Sequence, residues 1–163
     1  MKKTFCFFFA LIVIFSCFGC QKQVQTGNSV DFYYRAKEPD FGNEDGVFAI
    51  ETRVINYDTY DYQKLVEEYL RGAKIDSCIS PFPPGTTLVN LAVKNRDISI
   101  QLSMHMALQS QADIIVCCAC LCKTLFALPD VKTVTFSIEE REINGEASIT
   151  FDENSFVNWK MIS

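Results

Sequence analysis

The sequence predicts an α+β chain, a two-layer sandwich in which a mixed β-sheet carries two helices packed on one face. Three observations predict it. Stretches alternating apolar with polar residues recur towards both ends, two stretches of helical periodicity are interspersed among them, and two helices are too few to cover both faces of a sheet.

Each element carries its own signal. In "SVDFYYRA" Val30, Phe32, Tyr34 and Ala36 fall on one face and Asp31, Tyr33 and Arg35 on the other, the period-two pattern of a half-buried strand. A second strand follows at "VFAIETRVI". The polar loop between them, "KEPDFGNEDG", holds Asp40, Asn43, Glu44 and Asp45, but their spacing lacks the alternating ligands and distal bidentate Glu of a calcium loop.

"NYDTYDYQKLVEEYLRGAK" then reads as a helix. Asp58 or Thr59 is placed to cap it, Tyr62, Leu65, Val66, Tyr69, Leu70 and Ala73 form its apolar face, Glu67, Glu68 and Arg71 are expected to stay wet, and Gly72 marks its end. Pro81, Pro83 and Pro84 forbid helix in the step that follows, and Gly85 permits a turn. "TLVNLAVKNRDISIQLS" is a hairpin turning at Lys94 to Asp97. A second helix is expected from about Ala107 to Ala127, closing before Pro129. "VKTVTFSIEEREI" is a strand with Val134, Phe136 and Ile138 inward, and Asn144-Gly145 can turn it back into "EASITFD".

The N-terminus bears on compartment. Met1-Lys2-Lys3 precedes the uncharged apolar run "FCFFFALIVIFSCFG", which at about fifteen residues falls short of the roughly twenty that a spanning helix needs and reads as a secretory signal, with an uncleaved anchor as the lesser alternative. Its end, "CFGC", resembles a bacterial lipobox, with Gly19 as the small residue before the acylated cysteine. Cys17 and Phe18 depart from that pattern, and Cys17 is a rival lipidation site. Cys20 is favoured because the polar tether "QKQVQTGNS" begins immediately after it. The expected organisation is a lipoprotein signal peptide over residues 1–19, a tether over 20–29 and one domain over 30–163, held by lipid to the outer face of the cell membrane. Losing residues 1–19 from 163 leaves 144 and, with Lys2 and Lys3 gone, takes the formal charge from −5 to −7. So acidic a chain is a poor match for nucleic acid or for an anionic membrane surface.

Little in the sequence points to catalysis. Its one histidine, His105, sits between Met104 and Met106 with no base or acid partner evident, and the carboxylates, Glu139, Glu140 and Glu142 included, are spread over loops and solvent faces. "CCACLCKTL" is the conspicuous feature. At about 100° per residue, Cys118, Cys120 and Cys122 lie roughly 100°, 300° and 140° from Cys117, so four thiolates of one helix cannot converge on a tetrahedral zinc. Cys120 is the thiol expected to reach the outer face. Two sharper readings survive: a Cys117–Cys120 redox pair, and chelation by Cys118 and Cys122 with Cys78 and His105 brought from elsewhere. Against both stands simple packing, since free cysteine is among the most buried residue types.

With the elements placed, the chain from about Val30 to Phe151 resembles the GerMN domain, the sporulation and spore-germination domain. The resemblance rests on "YLRGA" at Tyr69–Ala73, "PPGTTL" at Pro83–Leu88, "VKNRDISIQLS" at Val93–Ser103 and "TLFALPDVKTV" at Thr124–Val134, in that order. Asp130, where members often carry Gly, and the cysteine-rich helix depart from it. The resemblance implies a non-enzymatic domain, similar in architecture to the ring-building modules of sporulation channels, that docks or assembles with protein partners at the envelope. It implies no catalytic residues, cofactor or metal. Two other readings remain open: a thiol-based redox or metal-binding lipoprotein using Cys117 to Cys122, and a glycan or small-ligand module using Phe32, Tyr33, Tyr34, Tyr57, Tyr60 and Tyr62.

Overall fold

Val30, Phe32 and Tyr34 are at most 3% exposed in the computed structural model, which describes residues 27–40, 42–43, 46–143 and 145–156. They lie on β1 (Asn28–Ala36), which pairs antiparallel with β2 (Phe48–Ile55) in an unbroken register from Asn28↔Ile55 to Arg35↔Phe48. On its other side β1 meets, among the described residues, only β3 (Cys78–Ile79), against Arg35 and Ala36, so the sheet order is β2-β1-β3. A second sheet, in chain order, contains β4 (Leu88–Lys94), β5 (Asp97–Leu102), β6 (Thr133–Ile138) and β7 (Ile149–Asp152). Its β5 and β6 are parallel and its other pairs antiparallel. The parallel pair follows from the long connection between those strands, which a tight hairpin could not replace.

The α+β class is as the sequence predicts, but the strands divide between two sheets. The reason is the second helix. Helix α1 (Tyr62–Leu70) precedes β3, while α2 (Gln111–Phe126) packs against both β1 and β6. The edge of β1 beyond β3 is taken by the two helices: the Tyr33 N–H donates to Thr124 Oγ1 of α2 at 2.9 Å, and the Tyr33 carbonyl accepts from Tyr69 Oη of α1 at 2.6 Å. Side chains there complete the ladder that a further strand would otherwise complete.

Helix boundaries differ from the sequence reading for local reasons. Asp61 caps α1, its Oδ1 accepting from Lys64 N at 3.2 Å, whereas Asp58 closes the preceding turn onto Tyr60 N. Gly72, at φ +93°, ends the helix as expected. The predicted second helix is two elements. Met104–Leu108 form a 3₁₀ helix, Gln109 is extended, and Ser110 caps α2 by accepting from Asp113 N at 3.1 Å while donating to the Asp113 carboxylate at 2.6 Å. That reciprocal cap stops the 3₁₀ turn from running on as α-helix. Asp130 has φ +69°, the left-handed conformation that Asp tolerates better than most residues. Ile143 and Glu146 exchange backbone bonds of 2.7 and 3.0 Å across a two-residue turn; Asn144 itself lies outside the described residues.

Arg53 ties α1 to the first sheet. Its side chain is 7% exposed, and all five guanidinium donors are used. Nε donates to Glu51 at 2.6 Å, one terminal nitrogen to the Glu68 carbonyl and carboxylate at 3.3 Å each, and the other to Tyr34 Oη at 3.0 Å and the Gly72 carbonyl at 2.8 Å. The guanidinium also lies 4.6 Å from the Phe32 ring centroid. Glu68 is therefore not the wet residue its helical position suggests, with a side chain 15% exposed that also accepts from Arg71 and Lys74.

The hydrogen bond from Arg53 holds the Glu51 carboxyl below its ordinary range; at Glu68 burial acts upward but is outweighed by the hydrogen bond and charge of Lys74 and the charges of Arg53 and Arg71. Both groups thus titrate lower in the folded than in the unfolded chain. Their contribution is complete above the ordinary carboxylate range and is lost as pH falls through the lower folded values. The urea midpoint is expected to drop as pH is lowered below about 4.3. Arg53→Met, which strands Glu51, is expected to cost about 3–5 kcal/mol at neutral pH, read from urea unfolding followed by circular dichroism.

Candidate functional site

The four clustered cysteines occupy the middle of α2, and the helix has no wet side there. Cys117 is 2% exposed, and Cys118, Cys120 and Cys122 are 0% exposed. The expectation that Cys120 reaches the outer face is wrong. The side of the helix carrying Cys117, Cys120 and Thr124 lies on protein: Cys117 Sγ donates to the Pro81 carbonyl at 2.9 Å, and Thr124 meets the β1 edge. On the neighbouring stripe, about 100° round the helix, Ile114, Cys118, Leu121 and Leu125 join one core with Ile98, Ile100, Leu102, Val134 and Phe136.

Burial sets the chemistry of these thiols. It pushes Cys117 and Cys120 up to about 12, with Asp113 adding to the effect at Cys117, and raises Cys118 and Cys122 well above the ordinary thiol value. Cys78 is raised by burial too, and all five cysteines among the described residues are unpaired thiols. The reactive form of cysteine is the thiolate, so these groups are held in their unreactive state. A redox pair at Cys117 and Cys120 would need the opposite environment, one that stabilises negative charge at an accessible sulfur.

His105 is exposed on the 3₁₀ helix, with Nδ1 at 3.4 Å from Ser103 Oγ. Its ring packs on the proline-rich step: a Cβ added at Gly85, which has φ +89°, would come within 3.1 Å of it. Among the described residues no three His, Cys, Asp or Glu side chains are grouped to hold a metal, so Cys78, His105, Cys118 and Cys122 are not brought together as ligands. In the acidic loop Asp40 is engaged with Gly42 N, while Glu44 and Asp45 lie outside the described residues. Cys17, Cys20, the signal and most of the tether are likewise outside them.

Three of the six aromatic residues are withdrawn from the surface. Phe32, Tyr34 and Tyr62 are buried, and Tyr34 stacks on Tyr69 with centroids 4.7 Å apart; Tyr60 stands out at 54% exposure. An open depression lined by Gly27, Asn28, Ile55, Asn56, Tyr57 and Asp58 holds one carboxylate and no base or nucleophile to pair with it.

The exposed apolar side chains lie elsewhere. Ile50 and Val54 on β2, Val89 and Val93 on β4, and Met104 and Leu108 on the 3₁₀ helix are 43% exposed or more, Leu108 reaching 87%. Those on β2 were hard to see in the sequence. The strand alternates Phe48, Ile50, Thr52 and Val54 with Ala49, Glu51, Arg53 and Ile55, and the buried face is the one that carries the charges. In the folded protein a bulky thiol reagent is expected to leave Cys78, Cys117, Cys118, Cys120 and Cys122 unmodified, and to label all five in urea. Peptide mass mapping of the labelled chain checks this; rapid labelling of Cys117 or Cys120 without denaturant would contradict the burial described.

Comparison with known proteins places this arrangement. The family model Germane, described as sporulation and spore germination, matches residues 31–144. A search of curated proteins finds no match. Among solved structures, the tandem GerMN domains of the sporulation protein GerM from Bacillus subtilis align with a TM-score of 0.56 at 19% identity, over 79% of this chain and 46% of that one. The chain thus spans about half the length of that tandem structure. The first GerMN domain of the same protein aligns with a TM-score of 0.57 at 15% identity, over 77% of this chain and 96% of that one. A candidate lipoprotein from Clostridium perfringens aligns with a TM-score of 0.51 at 16% identity, over 88% and 99% of the two chains. These structures share its fold, and since the family model covers well over half of the 163 residues, the chain belongs to the Germane family, the GerMN domain of sporulation and spore germination.

Proposed function

We propose that this protein is a non-enzymatic GerMN module, lipid-anchored through Cys20 on the outer face of the cell membrane, that docks onto envelope proteins during sporulation or spore germination. The observation that carries the reading is the division of its side chains. The clustered thiols of Cys117 to Cys122 are buried, and Arg53, Glu51 and Glu68 are tied into ion pairs. Apolar groups that water would disfavour are left on strands and on the 3₁₀ helix, where another protein could cover them. Family membership supplies the sporulation and germination context, and the anchored reading is supported by the apolar N-terminus with Gly19-Cys20 and by the likeness to a candidate lipoprotein of similar length.

Two measurements test it. Metabolic labelling with a palmitate analogue is expected to mark the wild type and Cys17→Ala but not Cys20→Ala, which would also lose its membrane fractionation; loss of label in Cys17→Ala alone would move the anchor. In-cell crosslinking of the tagged chain through a sporulation time course is expected to capture envelope proteins at a defined stage. Constant expression with no envelope partner would count against the docking role.

A further inference from the structure

Among the described residues β2 ends its sheet, and its backbone is set up to pair again. Because the Tyr33 N–H and carbonyl are engaged by Thr124 and Tyr69, Tyr33↔Ile50 is not a mutually bonded pair with β2. Antiparallel alternation then makes Phe32↔Glu51 and Tyr34↔Ala49 the bonded pairs, and turns the backbone groups of Ile50, Thr52 and Val54 away from β1. The same three residues place their side chains on the solvent side, where Ile50 and Val54 are each 50% exposed.

The other edges are blunted in recognised ways. β4 breaks register between Leu88 and Asn90 and ends in Lys94, β7 has four residues, and β3 has two. β2 keeps an uninterrupted register over its eight residues. Inward-pointing charge is another device that discourages edge pairing. Here the inward charges, Glu51 and Arg53, already neutralise each other at 2.6 Å.

We propose that β2 is a self-association edge, on which two copies of this chain pair antiparallel about a two-fold axis at Thr52, joining their two first sheets into one. The register follows from the side chains. Outward backbone groups must face each other, which allows the axis to fall at any of residues 50 to 54. An axis at Glu51 sets Glu51 against itself, and one at Arg53 sets Arg53 against itself; like charges directly opposite are destabilising. An axis at Ile50 runs Val54 against Gly46, and one at Val54 runs Ile50 against Asp58. At Thr52 alone does Ile50 face the second copy's Val54 while Glu51 faces its Arg53, and the two-fold makes each contact twice. The interface is self-complementary in both shape class and charge. It does not depend on the lipid anchor or on the envelope partners proposed above.

The test uses the full-length chain in detergent, its protein mass followed by sedimentation over a concentration series, with circular dichroism checking that each variant folds. Wild type is expected to reach the dimer mass. I50K/V54K, which sets lysine against lysine, is expected to halve it, whereas I50K/V54E, which sets lysine against glutamate in this register, is expected to retain the dimer. T52C places two thiols in a bonded antiparallel pair about 5.5 Å apart at Cα, within disulfide reach. Mild oxidation of T52C is expected to give two copies of one peptide joined by a disulfide at position 52, a species absent from the unsubstituted chain. Wild type that stays monomeric at every concentration overturns the proposal, as does a dimer that persists in I50K/V54K. So does a thiol at position 52 that crosslinks only to other polypeptides, which would assign the edge to a different occupant.

Discussion

The fold turns on how the second edge of β1 is closed. A central strand has two rows of backbone groups to satisfy, and burial makes each unsatisfied one costly. β2 takes one row in full; β3 covers the other only at Arg35 and Ala36. At Tyr33 the remaining donor and acceptor are closed by the Thr124 hydroxyl from α2 and the Tyr69 hydroxyl from α1. Both helices are thereby fixed relative to one residue of β1. The second sheet, which packs on the other stripe of α2 through β6, inherits its position from that contact. Thr124 serves both sides, since its hydroxyl also donates to the Cys120 carbonyl at 3.3 Å.

Around that contact the two helices are held by different physics. α1 is amphipathic, with Leu65, Val66 and Tyr69 at 1% exposure or less, and its wet side reaches back to the sheet through Glu68 and Arg53. The buried guanidinium is tolerable because every donor has a partner and the faces of Phe32 and Tyr34 lie beside it. α2 has no comparable polar network around its middle. It is held by apolar area on one stripe and by close approach to a strand edge on the other, which requires small side chains.

These differences decide what was legible in the sequence. β1 was clear because Val30, Phe32 and Tyr34 share one face and that face is the buried one. α1 was clear in its period, though its cap was placed one turn early, since Asp58, Thr59 and Asp61 all carry suitable oxygens and only the chain path selects Asp61. The division into two sheets was not legible: strand patterns specify faces, not which edges meet, and here a helix takes the place of a strand. Glu68 was misleading because a charge with a full set of partners is written in the sequence like a charge in water. For α2, the choice of Cys120 as the outward thiol assumed one apolar stripe and therefore one wet face. The helix has two protein-facing stripes, and nothing in its local sequence distinguishes a thiol against a strand edge from a thiol against water.

That second stripe also explains the cysteines without a chemical role. Cys117, Cys120 and Thr124 recur at spacings of three and four, the same face of a helix. Where that face must come within hydrogen-bonding distance of Tyr33 and of Pro81, a leucine would hold the backbones apart, while alanine would leave space unfilled. Cysteine is intermediate in volume, unbranched at Cβ, inexpensive to bury and able to donate weakly, as Cys117 does to the Pro81 carbonyl. A helix packed on both sides in this way has little surface left to offer another molecule. What the fold leaves to solvent is thus displaced from its most unusual sequence to the margins of its sheets, where the side chains of Ile50 and Val54 on β2 are each 50% exposed.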